Sequence, residues 1–162
     1  MINITDIYFG AQRLINEAIR IEHSAQGHNL TGTLENSLNG KITKNGRHDI
    51  LSGFAVKYAK TLNEGIKPQD VNSNVIPGLI KYFILRGLGP KEAERAAVAT
   101  FYKWKQEGMS TEASKRFSST GERQHFIERA FEKNENALDS YMLNTLDFSI
   151  NEHYSKTKSE TI

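Results

Sequence analysis

Lys44-Asn45-Gly46-Arg47, set between the runs at 38–43 and 50–56, decides the fold class of this chain. Residues 38–43 (Leu-Asn-Gly-Lys-Ile-Thr) alternate weakly between apolar and polar side chains, the period of a strand with two unlike faces. Asn-Gly is the preferred pair for a type I′ turn, whose twist suits antiparallel strands, and residues 50–56 can supply the return strand. The return run also admits a helical reading, because Ala55, Tyr58 and Leu62 suit a short helix from about 56 to 64. The hairpin gives the chain its β component; the rest reads as helix and loop.

On the N-terminal side, Ile4, Ile7, Tyr8, Ala11, Leu14, Ile15, Ala18 and Ile19 recur at three- and four-residue steps. That spacing predicts an amphipathic helix over 5–24, with Arg13, Glu17 and Arg20 outward and Gly27 as its stop. Residues 31–37 are expected to form a helical turn capped by Thr31, with Glu35 near the free amides. On the C-terminal side, residues 66–74 read as a polar loop carrying Pro68. Helices are expected at 74–86, burying Ile76, Leu79, Ile80 and Phe83, and at 90–107, with Pro90 at the first helical position. The stripe of the second is Ala93, Ala97, Phe101 and Trp104, and Gly87-Leu88-Gly89 makes the tight turn of a helical hairpin. Residues 110–120 read as an exposed loop. A last helix at 121–146 carries Phe126, Ala130, Phe131, Ala137, Leu138, Tyr141 and Met142 on one face. From 155 onward the tail is polar, a candidate for ordering on a partner.

The chain has 162 residues, 38% hydrophobic and 25% charged, which fits one domain able to bury a core. We expect a single α+β domain over 1–154, with a small antiparallel sheet packed by long N- and C-terminal helices, an inserted helical hairpin at 74–107, and a polar tail at 155–162. Net charge is +2, from 21 basic and 19 acidic residues, too balanced to imply nucleic-acid binding by electrostatics alone. With no cysteine, disulfides, thiolate nucleophiles and Cys-based zinc sites are excluded, in keeping with assembly in a reducing cytoplasm. The first residues lack the basic and apolar regions of a signal peptide, and no apolar run is long enough to span a bilayer. The sequons at Asn3 and Asn29 are therefore read as chance.

No catalytic pattern emerges, and no enzyme activity, cofactor or metal is expected. The five histidines, His23, His28, His48, His125 and His153, show no metal-ligand spacing. Gly87 and Gly89 do not make a phosphate loop, since Pro90 removes an amide and no Gly-Lys-Ser/Thr follows. Asp6, Asp49, Asp70 and Asp139 are scattered without companion His and Ser residues, although two carboxylates can still meet in space.

Three motifs stand in order along the chain. The first is Thr31-Gly32-Thr33-Leu34-Glu35-Asn36-Ser37, and the second, after the strand pair, is Tyr58-Ala59-Lys60-Thr61-Leu62-Asn63-Glu64-Gly65. The third, the aromatic-led opening of the last helix, is Phe126-Ile127-Glu128-Arg129-Ala130-Phe131-Glu132-Lys133-Asn134. Physically, Gly32 allows a sharp turn, Leu34 pins it to the first helix, Tyr58 and Leu62 share a helical side, and Gly65 permits a positive backbone angle. Over residues 5–66 and 121–143 this order resembles the head–tail joining, or tail-completion, family of the neck of tailed bacteriophages. The chain departs from that family at 71–120, where the helical hairpin stands in place of a short loop.

The resemblance implies a structural virion protein, assembled in the bacterial host cytoplasm. Copies would close a cyclic ring, a hexamer or dodecamer, between the portal or adaptor and the tail proteins, beside genome DNA and away from membranes. Such a ring uses heterologous contacts whose rotation closes. Lys41, Lys44 and Arg47 at the hairpin tip are candidates to face DNA or an acidic neighbour. Phe101, Tyr102 and Trp104 are candidates for an interface or for the hairpin's own core. The alternative is a small DNA-binding regulator using the 74–107 hairpin as a helix-turn-helix. Its six basic residues (Lys81, Arg86, Lys91, Arg95, Lys103, Lys105) outnumber three acidic ones. Against that reading, Glu92 and Glu94 occupy the first turn of the would-be recognition helix.

Overall fold

A computed structural model of the chain describes residues 4–45 and 48–160. The fold is α+β: six helices and one two-stranded antiparallel sheet among the described residues. The helices are α1 (Ile4–Ala25), α2 (Thr33–Ser37), α3 (Tyr58–Glu64), α4 (Ile76–Leu85), α5 (Pro90–Glu107) and α6 (Phe126–Glu160); the strands are β1 (Asn39–Asn45) and β2 (His48–Phe54). The chain divides into two compact units. The first comprises Met1–Glu22, Thr33–Val56 and Ile127–Ile162, and the second His23–Gly32 and Lys57–Phe126.

In the first unit, part of the expected apolar stripe of α1 is buried, namely Ile7, Ala11, Ala18 and Ile19, whereas Ile4 and Leu14 of the same stripe are exposed. Two contacts show that α1 and α6 run antiparallel. Glu22 pairs with Arg129 and Lys133, and Gly10 lies so close to Tyr141 that an added Cβ would overlap the phenol. The motif around α2 has a clear structural use. Leu34 is buried, Arg20 donates to the Glu35 carbonyl through Nε and Nη2, each at 3.3 Å, and Ser37 Oγ donates to the Leu34 carbonyl at 2.7 Å. The same Ser37 oxygen accepts from the Val56 N–H at 3.0 Å, fastening the residues that flank the hairpin. Helix α2 begins at Thr33 rather than Thr31, so Gly32, with φ of 68°, occupies the capping position and Thr31 stands outside it.

Both strands sit near the expected places, shifted by one or two residues. The register runs from Asn39↔Phe54 to Asn45↔His48. Asn45 is therefore the last paired residue of β1, and the Asn-Gly pair does not fill the two connecting positions. Those positions, Gly46 and Arg47, lie outside the described residues. Gly40 carries the face that meets α1, since an added Cβ there would run into the Gln12 carboxamide. Ile42 and Leu51 share that face, while Ile50 and Phe54 project from the other and are exposed.

In the second unit, α4 and α5 form the expected helical hairpin around Leu79, Ala93 and Ala97. Pro90 opens α5, Glu92 Oε2 accepts from the Gly89 N–H at 3.3 Å, and Gly108 (φ 84°) closes it. The run at 66–74 is more ordered than a polar loop. Ile66 and Met109 exchange both backbone hydrogen bonds, at 3.1 and 2.8 Å, and 3-10 turns occupy Pro68–Asp70 and Ser73–Val75. Val71, on this stretch, is fully buried. The run at 110–120 likewise holds a 3-10 helix, Glu112–Phe117, with Thr111 buried before it. The Ile66–Met109 pairing spans 43 residues and leaves no local signal, while the 3-10 segments are closed by bonds three residues apart within runs of polar composition.

The largest departure is α6. It starts at Phe126, five residues later than expected, and continues through Glu160, so the polar residues after Leu146 are helical. Ion pairs at helical spacing, such as Lys156 with Glu152 at 2.6 Å, support this stretch.

Candidate functional site

Helix α6 sets the first candidate. Its buried side within the first unit ends at Ala130, and from residue 131 to 158 not one residue is buried. That length nevertheless carries Phe131, Leu143, Phe148, Ile150 and Tyr154, between 45% and 70% exposed. Leu143, Ile150 and Tyr154 are spaced i, i+7, i+11, with half-buried Leu146 between them, and so line one side of the helix. In the antiparallel register of α1 and α6, Ile4 falls opposite about residue 147. The last ~13 residues of α6, on the order of 20 Å, have no described α1 residue alongside.

The same unit exposes further apolar side chains: Ile4, Phe9, Leu14 and Ile21 on α1, Ile50 and Phe54 on β2. Leu14 and Ile21 flank a groove that Ala130, Lys133 and Asn134 close from the α6 side. Together these eleven side chains present on the order of 1,000 Å² of apolar surface, against about 800 Å² per partner in a standard interface.

Beneath the groove, Glu22 is buried and bridges two cations, Arg129 Nε at 2.8 Å and Lys133 Nζ at 2.5 Å. Its carboxylate offsets charges whose side chains remain 31% and 53% exposed. We expect Glu22→Gln to lower stability by about 2–3 kcal/mol, below the loss for a fully buried pair because water still reaches both cations. Urea unfolding followed by circular dichroism measures it, and a loss under about 0.5 kcal/mol would deny the triad a structural role.

The second unit holds a buried polar knot that the sequence does not advertise. His23, Gln26, Asn63 and Thr111 are all buried there. Gln26 Nε2 donates to the Gln124 carbonyl at 2.9 Å, Gln124 Nε2 donates to the Met109 carbonyl at 2.6 Å, and the His125 N–H donates to the Asn63 carbonyl at 2.8 Å. His28 is fixed from two sides. Its Nε2 donates to the Arg123 carbonyl at 3.0 Å, and its Nδ1 accepts from Arg123 Nη2 at 3.3 Å. The His23 ring lies 5.4 Å from that of His28 and 5.2 Å, edge-on, from that of Phe126.

Burial, then the Arg123 guanidinium, lowers the His28 pKa from 6.5 to about 4. The folded protein thus keeps His28 neutral while the unfolded chain protonates near 6.5. Stability from this group is complete above 6.5 and drains away as pH falls toward 4, by on the order of 2–3 kcal/mol once partial exposure is allowed for. His28→Gln, which retains a donor and an acceptor, is expected to flatten the stability profile across that window. An unchanged slope in urea titrations would rule the histidine out as the titrating group.

The sequence-selected residues fall in several places. Lys41 and Lys44 are exposed on β1, and Arg47 is outside the described residues. Phe101 and Trp104 are half-buried on α5, whereas Tyr102 is exposed. In α3 the buried residues are Ala59 and Asn63, so the inward side is offset by one residue from Tyr58, which is exposed, and Leu62, which is half-buried. Gly65 has φ of 76° and sits against Gln124 and the Met109 carbonyl, where no side chain fits. Phe126 is wholly buried and Phe131 largely exposed. Sequence reasoning missed the outer stripe of α6 and the knot around His28. Helical spacing carries the first signal, since Leu143, Ile150 and Tyr154 repeat at turns of one helix.

Among the described residues, no three His, Asp or Glu side chains are placed to hold a metal ion, and no helix is long and apolar enough to cross a membrane. Comparison with protein-family models, curated proteins and solved structures finds no match to this chain.

Proposed function

We propose that the chain is a structural assembly subunit which closes into a ring in the neck of a tailed bacteriophage, joining portal to tail. The observation that carries the reading is α6. A helix of 35 residues with no fully buried side chain between 131 and 158 and a repeating exposed apolar side is fitted to be completed by neighbours. The exposed apolar area is on the order of one standard interface patch per subunit, and a heterologous ring adds polar surface to it on each of two sides. The order of the three sequence motifs supplies the viral context. Lys41, in mid-strand opposite Ser52 and not at the hairpin tip, and Lys44, on the other face of β1, are both exposed and available to an acidic neighbour or DNA. For the DNA-regulator alternative, the basic count of the 74–107 segment is the main support, and Glu92 folds back on the Gly89 N–H at the start of its second helix.

Sedimentation of the purified full chain, followed by imaging of the species found, tests the proposal. A closed oligomer of uniform size is the expected result. A monomer at every accessible concentration, with salt-sensitive duplex binding, would replace it with the regulator.

A further inference from the structure

The first unit carries two apolar features of matching period, one hollow and one raised. The hollow is the groove between α1 and α6, of about 420 Å³, walled by Leu14 and Ile21 on one side and by Lys133 and Asn134 on the other. Ala18 and Ala130, both buried, form its floor. The raised feature is the side of α6 that bears Leu143, Ile150 and Tyr154, all exposed. Leu14 and Ile21 stand seven residues apart, as do Leu143 and Ile150, so each pair spans two helical turns, about 10.5 Å. The small floor residues admit a third helix close to the other two, with its side chains set between Leu14 and Ile21 as ridges enter grooves.

Charge is complementary as well. At the groove, Glu22, Arg129 and Lys133 contribute one negative and two positive charges, a net +1. Glu17, on the α1 wall, is already paired with Arg20 at 3.3 Å. On the ridge, Asp139 and Asp147 are exposed and lie four residues to either side of Leu143, so their carboxylates flank its apolar side chains. Ridge and groove cannot meet within one molecule. Both involve the single helix α6, the groove near residue 132 and the ridge near 148, about 24 Å apart along its axis. They also face directions about a third of a turn apart around that axis, so each addresses a different neighbour.

We propose that the α6 ridge of one copy seats in the α1–α6 groove of the next, a head-to-tail contact between first units. The contact presupposes the assembly proposed for this chain and names the surfaces that build it. Each copy gives its ridge to one neighbour and its groove to another, the arrangement a closing ring repeats.

Sedimentation velocity of full-length groove-blocked and ridge-blocked variants, alone and mixed, tests the contact. Leu14→Lys with Ile21→Lys blocks the groove, and Leu143→Glu with Ile150→Glu blocks the ridge. All four positions are exposed, and unchanged circular dichroism verifies each fold. Each variant alone should associate about a hundredfold or more weakly than the wild type. Mixed in equal amounts they should form a 1:1 dimer and nothing larger, because one sound groove then faces one sound ridge. Variants that assemble as the wild type does, or a mixture that stays monomeric while the wild type assembles, overturn the contact and leave the ring reading standing. A wild type that is monomeric at every accessible concentration removes both. The chain has no cysteine, so Ile21→Cys and Ile150→Cys, mixed and treated with a short bismaleimide, give a second readout. Cross-links between the two variants support the contact, and their absence, or links of Ile150→Cys only to itself, overturns it.

Discussion

If the subunit assembles as proposed, replacing Leu143, Ile150 and Tyr154 together by glutamate should leave a folded monomer that does not. The three side chains are between 62% and 70% exposed, so the free subunit has little packing to lose. Glutamate is a good helix former, and α6 should persist as far as it does in the wild type. In an assembly, burying each apolar side chain contributes about 1.5–3 kcal/mol. Losing all three and burying carboxylates in their place weakens association by roughly a thousandfold or more. Sedimentation velocity on the triple variant and the wild type reads the effect directly. Equal oligomer populations in the two would place the contacts elsewhere on the first unit and remove α6 from the interface.

Phe126→Ala is the largest expected loss of stability from a single residue, about 3–5 kcal/mol. The side chain has no solvent exposure, meets the His23 ring edge-on at 5.2 Å and lies 6.1 Å from that of His28. Alanine would leave a void bordered by two imidazoles that are poorly placed to close it. Phe131→Ala, five residues along the same helix, is the matched comparison, because Phe131 is 45% exposed. Its loss in the unassembled subunit should stay below about 1 kcal/mol. Urea midpoints under conditions that keep both proteins monomeric separate the cases, and similar losses for the two would contradict the burial difference.

That pair also shows where sequence reading stops. Both phenylalanines stand in one motif and both suit an apolar helical face, yet Phe126 is enclosed beside the His23 and His28 rings whereas Phe131 turns outward on α6. The elements set by local chemistry were legible. Pro90 and Gly108 delimit α5, Gly27 closes α1, and the apolar period of α1 names its buried apolar side chains, Ile7, Ala11, Ala18 and Ile19. Elements made by distant partners were not. The Ile66–Met109 pairing depends on hydrogen bonds across a long separation, whereas the 3-10 helix Glu112–Phe117 is closed by local bonds that its polar composition did not advertise. Glu22, His23 and Gln26 were hidden by their polarity. They continue the Ala11–Ile15–Ile19 side of α1 at three- and four-residue steps, which was the available clue to their burial. The end of α6 was read as a tail because Ser, Asn, Thr and Lys dominate it, and only i,i+4 pairing sustains its helix.

Gly40 has a bearing on how the hairpin finds its alignment. Each face of the ribbon offers an apolar pair, Ile42 with Leu51 on one and Ile50 with Phe54 on the other. Sliding one strand by a single residue would therefore exchange faces at little hydrophobic cost, a degeneracy that most half-buried strands avoid. The carboxamide of Gln12 weights the choice, since a Cβ at Gly40 would overlap it and a slide of β1 that put Asn39 or Lys41 in that place would oblige the Gln12 side chain to move. Alignment of β1 is thus favoured by an empty position: the helix fits best the frame in which that strand presents nothing.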